Sequence, residues 1–196
     1  MRPDFAIPGE VRTLSRMEAA PLAYQYVREP LLADEFDQLA NACESPLERM
    51  CVWTLGDTGL RVSELCGLQP ANILWQQKAF RVKGKGGPFG KKSKARVVPF
   101  SNRVRALIEP HFALHDSFPV GERRVQKIVK DVANRARIAR EVTPHVLRHT
   151  FATLFLQKGG SIAALSRILG HDRLETTAIY LNLTDMHILE EYAAKW

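Results

Sequence analysis

Apolar residues recur along this chain at helical intervals, broken in one region by short alternating stretches. From Asp34 to Cys43, the residues Phe36, Leu39, Ala40 and Cys43 fall on one helical stripe. Ser45-Pro46-Leu47-Glu48 has the form of a capping box with proline at the first helical position. It predicts a largely buried helix running to about Asp57 and stopped by Gly59. A tight turn carrying Arg61 follows, and a short helix begins near Val62. Asn72–Trp75, Ala79–Lys83 and Ala95–Phe100 are short, β-branched or aromatic, and separated by turn residues, which predicts three strands.

Helical spacing then resumes. Ser101 caps a helix with Val104, Leu107 and Ile108 on its core face. Glu122 to Arg140 reads as a further helix, with Val125, Ile128, Val129, Val132 and Ala136 as its apolar stripe. Thr143 suits an N-cap and Pro144 the first turn, so a helix is predicted over 144–158, ended by Gly159-Gly160. Val146, Phe151, Leu154 and Phe155 are available to its core. Ser161 caps Ile162–Leu169, and Gly170 closes it. Thr176 to Tyr180 has helical spacing, and a last helix from Thr184-Asp185 puts Leu189, Tyr192, Ala193 and Trp196 on one face. The pattern is a mainly α, α+β arrangement: a helical bundle with a small three-stranded antiparallel sheet. Residues 1–30, with Pro3, Pro8, Pro21 and Pro30 and little periodicity, read as an N-terminal arm. Residues 31–196, including the C-terminal tail helix, read as one domain.

Composition changes this picture only in part. With 196 residues, 45 % hydrophobic and 25 % charged, the chain has enough apolar material for one good core. Its net charge of +7 points toward nucleic acid or an anionic surface. Cys43, Cys51 and Cys66 lack metal-type spacing and sit in apolar helical surroundings, which suits reduced, packed thiols. No run approaches a membrane span and the N-terminus lacks the apolar stretch of a secretion signal, so a cytoplasmic protein is expected. Between Arg81 and Arg96 every charged residue is Lys or Arg, and the second sheet turn, Gly84 to Lys94, is rich in glycine. Such a hairpin tip suits a phosphate backbone, with Lys83, Lys91, Lys92, Lys94 and Arg96 as candidate DNA contacts.

The candidate chemistry centres on Thr143-Pro144-His145-Val146-Leu147-Arg148-His149-Thr150-Phe151. His145 and Arg148, spaced i, i+3, share a face near a helix start, which is a natural anion site. Taken alone, the stretch fits equally well a buried histidine and a surface arginine. Three further segments remove that ambiguity: Thr58-Gly59-Leu60-Arg61-Val62-Ser63-Glu64-Leu65, Leu169-Gly170-His171, and Tyr180. In this order and at these separations, they resemble the catalytic signature of the tyrosine recombinases, the phage integrase family, over roughly residues 31–190.

The resemblance implies site-specific DNA strand exchange without metal or nucleotide cofactor. Tyr180 would attack a phosphodiester and form a 3′-phosphotyrosyl bond. His145 would accept its proton or bind the phosphate, and Arg61 and Arg148 would clamp the non-bridging oxygens. His171 would add a further hydrogen bond, and Lys85 would protonate the leaving 5′ oxygen. The hairpin loop is longer than the family's usual form, so Lys83 and Lys91 stand as alternatives to Lys85. The resemblance also implies double-stranded DNA as partner, a dimer to tetramer on that DNA, and a tail helix docking into a neighbouring protomer. Most of the family has a separate helical domain before the catalytic one. This chain has no room for it and reads as a minimal form or a fragment.

Other readings remain open. A type IB topoisomerase uses nearly the same residues. Residues 144–169 also fit a helix-turn-helix that only binds DNA, and a decayed recombinase would act as a regulator. A zinc site on His145, His149 and His171 is disfavoured by Arg148 on the same face and by the lack of an HExxH glutamate.

Overall fold

Helix caps and glycine stops set the architecture in the computed structural model, which describes residues 29–84, 95–171 and 177. Helix α1, Ala33–Asn41, starts where the Glu35 carboxylate accepts from the Leu32 backbone N–H at 2.7 Å. Phe36, Leu39 and Ala40 are buried as its stripe predicts. The helix ends before Cys43, whose thiol still reaches the core and donates to the Leu39 carbonyl at 3.6 Å. Helix α2, Pro46–Thr58, has the predicted capping box: Ser45 Oγ accepts from the Glu48 N–H at 3.2 Å, and Glu48 accepts from the Ser45 N–H at 3.3 Å. Gly59 stops it in the left-handed region, φ 62°. A side chain there would collide with Phe151 and Leu169, so the turn admits only glycine. Helix α3, Val62–Cys66, follows directly.

The sheet has order β1-β2-β3 and is antiparallel throughout, with β1 Ile73–Leu74, β2 Ala79–Lys83 and β3 Ala95–Pro99. β1 is shorter than predicted, because Trp75–Gln77 turns into a 3₁₀ segment and Lys78 takes φ 48°. In β2, Phe80 and Val82 point into the core while Arg81 and Lys83 face outward. Full burial of a phenylalanine such as Phe80 contributes roughly 2–3 kcal/mol.

Helix α4, Asn102–Phe112, begins at Ser101, whose Oγ accepts from the Val104 N–H. Val104 and Ile108 are fully buried and Leu107 half-buried. Helix α5 spans Glu122–Arg135, not the predicted 122–140. Arg137 adopts φ 56°, and the Ile138 N–H folds back to the Ala133 carbonyl at 3.1 Å. That closure needs no glycine in the sequence, so periodicity alone overran it. Helices α6, Pro144–Gln157, and α7, Ile162–Leu169, start at Thr143 and Ser161 as expected. α2 lies at the centre, against α1, α4, α5 and α6, with one apolar core around it. Cys43 and Cys51 are buried free thiols and Cys66 is half-buried. Burial pushes Cys43 up to about 11 and Cys51 to about 12, leaving both as inert thiols.

No helix among the described residues is long and apolar enough to cross a membrane. The expectations for most of the 1–30 arm, for Lys85, Lys91, Lys92 and Lys94, for Tyr180 and for the tail helix fall outside the described residues.

Candidate active site

The site is built where two helix ends meet the side of a third helix. Gly59 ends α2, Gly170 ends α7, and α6 passes beside both turns. The last carbonyls of a helix have no partner within it and carry the negative end of its dipole. Arg148, on the second turn of α6, fills that need. Its Nη1 donates to the Gly59 carbonyl at 2.5 Å and its Nη2 to the Leu169 carbonyl at 2.7 Å. Only 7 % of the residue is exposed. One guanidinium therefore ties together the segments that carry Arg61, Arg148 and His171. The bland expectation for this helix is inverted: Arg148 is buried and His145, on the first turn, is exposed.

Arg61 occupies the N-cap of α3, where its extended backbone throws the side chain toward solvent. Glu64, one turn on, holds it. The Glu64 carboxylate accepts from Arg61 Nη1 and from the Arg61 backbone N–H, both at 2.9 Å. It also accepts two bonds from Arg96, Nη1 at 2.9 Å and Nη2 at 2.7 Å. Burial alone would raise the Glu64 carboxyl, but the hydrogen bonds from Arg96 and Arg61 hold it below the usual carboxylate range.

Arg96, expected among the outward DNA contacts, is turned inward. Its side chain is 9 % exposed, and its Nε donates to the Ile168 carbonyl at 2.7 Å. The strand register explains this. Arg96 pairs with Val82, and cross-strand partners share a face. Val82 faces the core, so Arg96 must as well. That signal was present in the alternation of β3, where Val98 is buried and Val97 exposed.

His171 follows Gly170, and its backbone N–H donates to the Ser166 carbonyl at 3.1 Å. Its Nε2 lies 3.4 Å from Arg148 Nη2, and its Nδ1 lies 2.9 Å from Thr177 Oγ1. Burial, then the charges of Arg148, Arg61 and Arg96, and His149, bring the ring down to about 4. It is neutral at physiological pH. His149 is half-buried, and burial, His145 and Arg148 lower it too. Thr177, buried against His171, belongs to none of the catalytic motifs in the sequence. Its signal was its place three residues before Tyr180.

A cleft of about 640 Å³ opens beside this cluster, with Arg61, Ser63 and Glu64 on one wall and Arg81, Lys83 and Gly84 on another. Lys83 thus reaches the cleft from β2, and Arg81 joins it on the same outward face. Among the described residues no group of three or more His, Cys, Asp or Glu is placed to hold a metal ion. The cleft itself presents Arg61, Arg81 and Lys83 with Glu64 and Glu122, while Arg148 and the neutral His171 ring sit beside the Arg61 turn; the cations suit an anion with several oxygens.

Comparison with known proteins agrees. The model of the phage integrase family matches residues 29–187. A tyrosine recombinase XerC of Staphylococcus saprophyticus is 32 % identical over 173 residues, covering 80 % of this chain and 56 % of the relative. The crystal structure of XerA recombinase superposes with a TM-score of 0.72 at 31 % identity, covering 88 % of this chain and 66 % of that one. The catalytic domain of bacteriophage HP1 integrase gives a TM-score of 0.59 at 26 % identity, covering 86 % of this chain and 95 % of that domain. The chain spans about half the length of the curated relatives it matches.

Proposed function

The chain belongs to the phage integrase family, and from that premise we propose that it breaks and rejoins DNA at specific sites through a 3′-phosphotyrosyl intermediate. The observation that carries the reading is Arg148. Burying a guanidinium is costly unless it is fully hydrogen-bonded, and here two helix-end carbonyls hold it beside His171 and the Arg61 turn.

In this reaction the Tyr180 hydroxyl attacks the scissile phosphorus, forming a P–O bond to tyrosine as the P–O5′ bond breaks. A free phenol is a weak nucleophile near neutral pH, so its proton passes to a base, His145. Lys85 gives a proton to the departing 5′ oxygen. Arg61, Arg148 and His171 stabilise the charge that builds on the non-bridging oxygens. The two guanidinium groups are worth more in the transition state because they are already in place. The phosphotyrosyl bond keeps the energy of the phosphodiester, so a 5′-hydroxyl from another strand reverses the step without a nucleotide or metal cofactor.

Double-stranded DNA would lie over the cleft, with Lys83, Lys91, Lys92 and Lys94 on its backbone. Strand exchange needs paired sites, so a dimer to tetramer assembles on DNA, with the tail helix docking into a neighbour. A DNA substrate fits a cytoplasmic protein.

The test is a covalent trap on nicked duplexes taken from DNA flanking the protein's own gene. Wild type should form an adduct stable to denaturation, and Tyr180→Phe should bind equally but form none. An adduct retained in Tyr180→Phe, or intact binding without any adduct in wild type, would overturn the reading.

A further inference from the structure

The ring of His171 sits between two partners of different chemistry. Nε2 faces Arg148 Nη2 at 3.4 Å, and Nδ1 faces Thr177 Oγ1 at 2.9 Å. A guanidinium donates and cannot accept, so the nitrogen facing it presents its lone pair. In a neutral imidazole the proton is then on Nδ1, which donates to the threonine oxygen. A role on a phosphoryl oxygen requires the opposite arrangement. Nε2 must donate, so Nδ1 must accept. A hydroxyl serves both states, because it accepts in one rotamer and donates in the other. Thr177 is fully buried, which keeps bulk water from taking over that function.

We propose that Thr177 is a positioning residue for His171: a hydroxyl rotor that supports the Nδ1–H tautomer in the free protein and the Nε2–H tautomer when phosphoryl oxygens occupy the site. The proposal rests on the phosphoryl-transfer reading above. The switch is balanced: one proton leaves Nδ1 through the Thr177 hydroxyl contact and one arrives at Nε2, exchanged with solvent where the half-buried ring is open, and the ring stays neutral. The groups facing His171 favour this over protonation, since Arg148, Arg61, Arg96 and His149 all oppose a positive charge on the ring. Thr177 also precedes Tyr180 by three residues, so the element that sets the tautomer belongs to the same short segment as the nucleophile.

The experiment uses the whole chain labelled with nitrogen-15 in histidine, read near neutral pH. The His171 signals are assigned by their loss in His171→Asn. Wild type should show a protonated Nδ1 and an unprotonated Nε2. Thr177→Val should weaken that preference, with Arg148 alone still favouring an unprotonated Nε2, and Thr177→Ser should restore it. A Val variant with the wild-type ratio, or a wild type protonated on Nε2 or on both nitrogens, would overturn the proposal. Covalent-adduct formation at saturating nicked duplex gives the second readout. Thr177→Val should slow it about tenfold or more with unchanged DNA affinity, and Thr177→Ser should recover it to within about threefold. Equal rates in wild type and Val would also overturn it. If wild type forms no adduct, the recombinase reading fails, while the ring spectrum still decides the assignment of Thr177.

Discussion

Arg148 and Arg61 are proposed for the same task and are held in opposite ways. Arg148 is 7 % exposed and bound by neutral carbonyls. The Arg61 side chain is 35 % exposed and bound by a carboxylate. The two carbonyls fix the Arg148 guanidinium without themselves bringing a carboxylate's full negative charge. Glu64 would cancel Arg61, but it is shared with Arg96, and the three groups together keep one net positive charge. Depth thus fixes geometry at Arg148, and a charged brace does so at the rim. The brace also reaches α7 through the Arg96 bond to the Ile168 carbonyl, beside the Leu169 carbonyl that Arg148 holds.

The comparison breaks most visibly at Arg148. Arg148→Ala should reduce adduct formation by about a thousandfold or more, because a preorganised donor is lost from the developing charge. It also leaves the Gly59 and Leu169 carbonyls without this partner, which should cost about 2 kcal/mol of stability or more. DNA affinity should stay within about tenfold. Arg148→Lys keeps the charge but cannot span two carbonyls with a fork, so most of the rate loss should remain. Cleavage and binding falling in equal proportion would show that Arg148 only holds DNA.

The brace has its own signature in acid. Glu64 titrates below the usual range in the folded protein, so its contribution is full above about pH 4.3 and is lost as pH falls through its depressed value. Glu64→Gln should therefore cost most near neutral pH and flatten the fall in Tm in acid. Glu48 acts in the same direction, its carboxyl brought to about 2 by Arg135, so the slope should shrink without vanishing. His171 works in a higher window. Its folded value of about 4 lies below the ordinary 6.5, so the unfolded chain takes the proton first. Stability is then lost as pH falls from about 6.5 to 4, and His171→Asn should remove that part of the slope. Melting curves across both windows separate the two groups; a His171→Asn curve parallel to wild type above pH 4 would contradict the neutral, charge-surrounded ring.

Much of this was legible in the chain. Caps at Ser45, Ser101, Thr143 and Ser161, and the stops at Gly59 and Gly170, are local chemistry, and the helices they bound appear where the pattern puts them. Motif order singled out Arg61, Arg148 and His171, which the fold brings together. What pattern did not supply was depth. Whether Arg148 or His145 is buried depends on which turns lie beside α6, and those are about ninety residues away in one case and twenty in the other. The end of α5 was missed because Arg137, not glycine, takes the left-handed position. Arg96 was misplaced because its charge was weighed above the strand alternation that turns it inward.

That misplacement gives the smallest and most discriminating prediction. Arg81 and Lys83 face the cleft from the exposed side of β2, while Arg96 faces the core from β3. Arg81→Ala and Lys83→Ala should each weaken DNA binding several-fold and lower the salt dependence of the affinity by about one unit of slope. Their stability should stay within about 0.5 kcal/mol of wild type, since neither removal empties the core. Arg96→Gln should do the reverse. Breaking a buried pair leaves Glu64 short of its main partner and should cost about 3 kcal/mol, with the salt slope unchanged. The slope counts cations that displace counterions from phosphate, and it is blind to a guanidinium spent on a carboxylate inside the protein. If Arg96→Gln lowers the slope as Lys83→Ala does, the strand must open on DNA and release Arg96 outward, and the brace around Glu64 would then be a feature of the free protein alone.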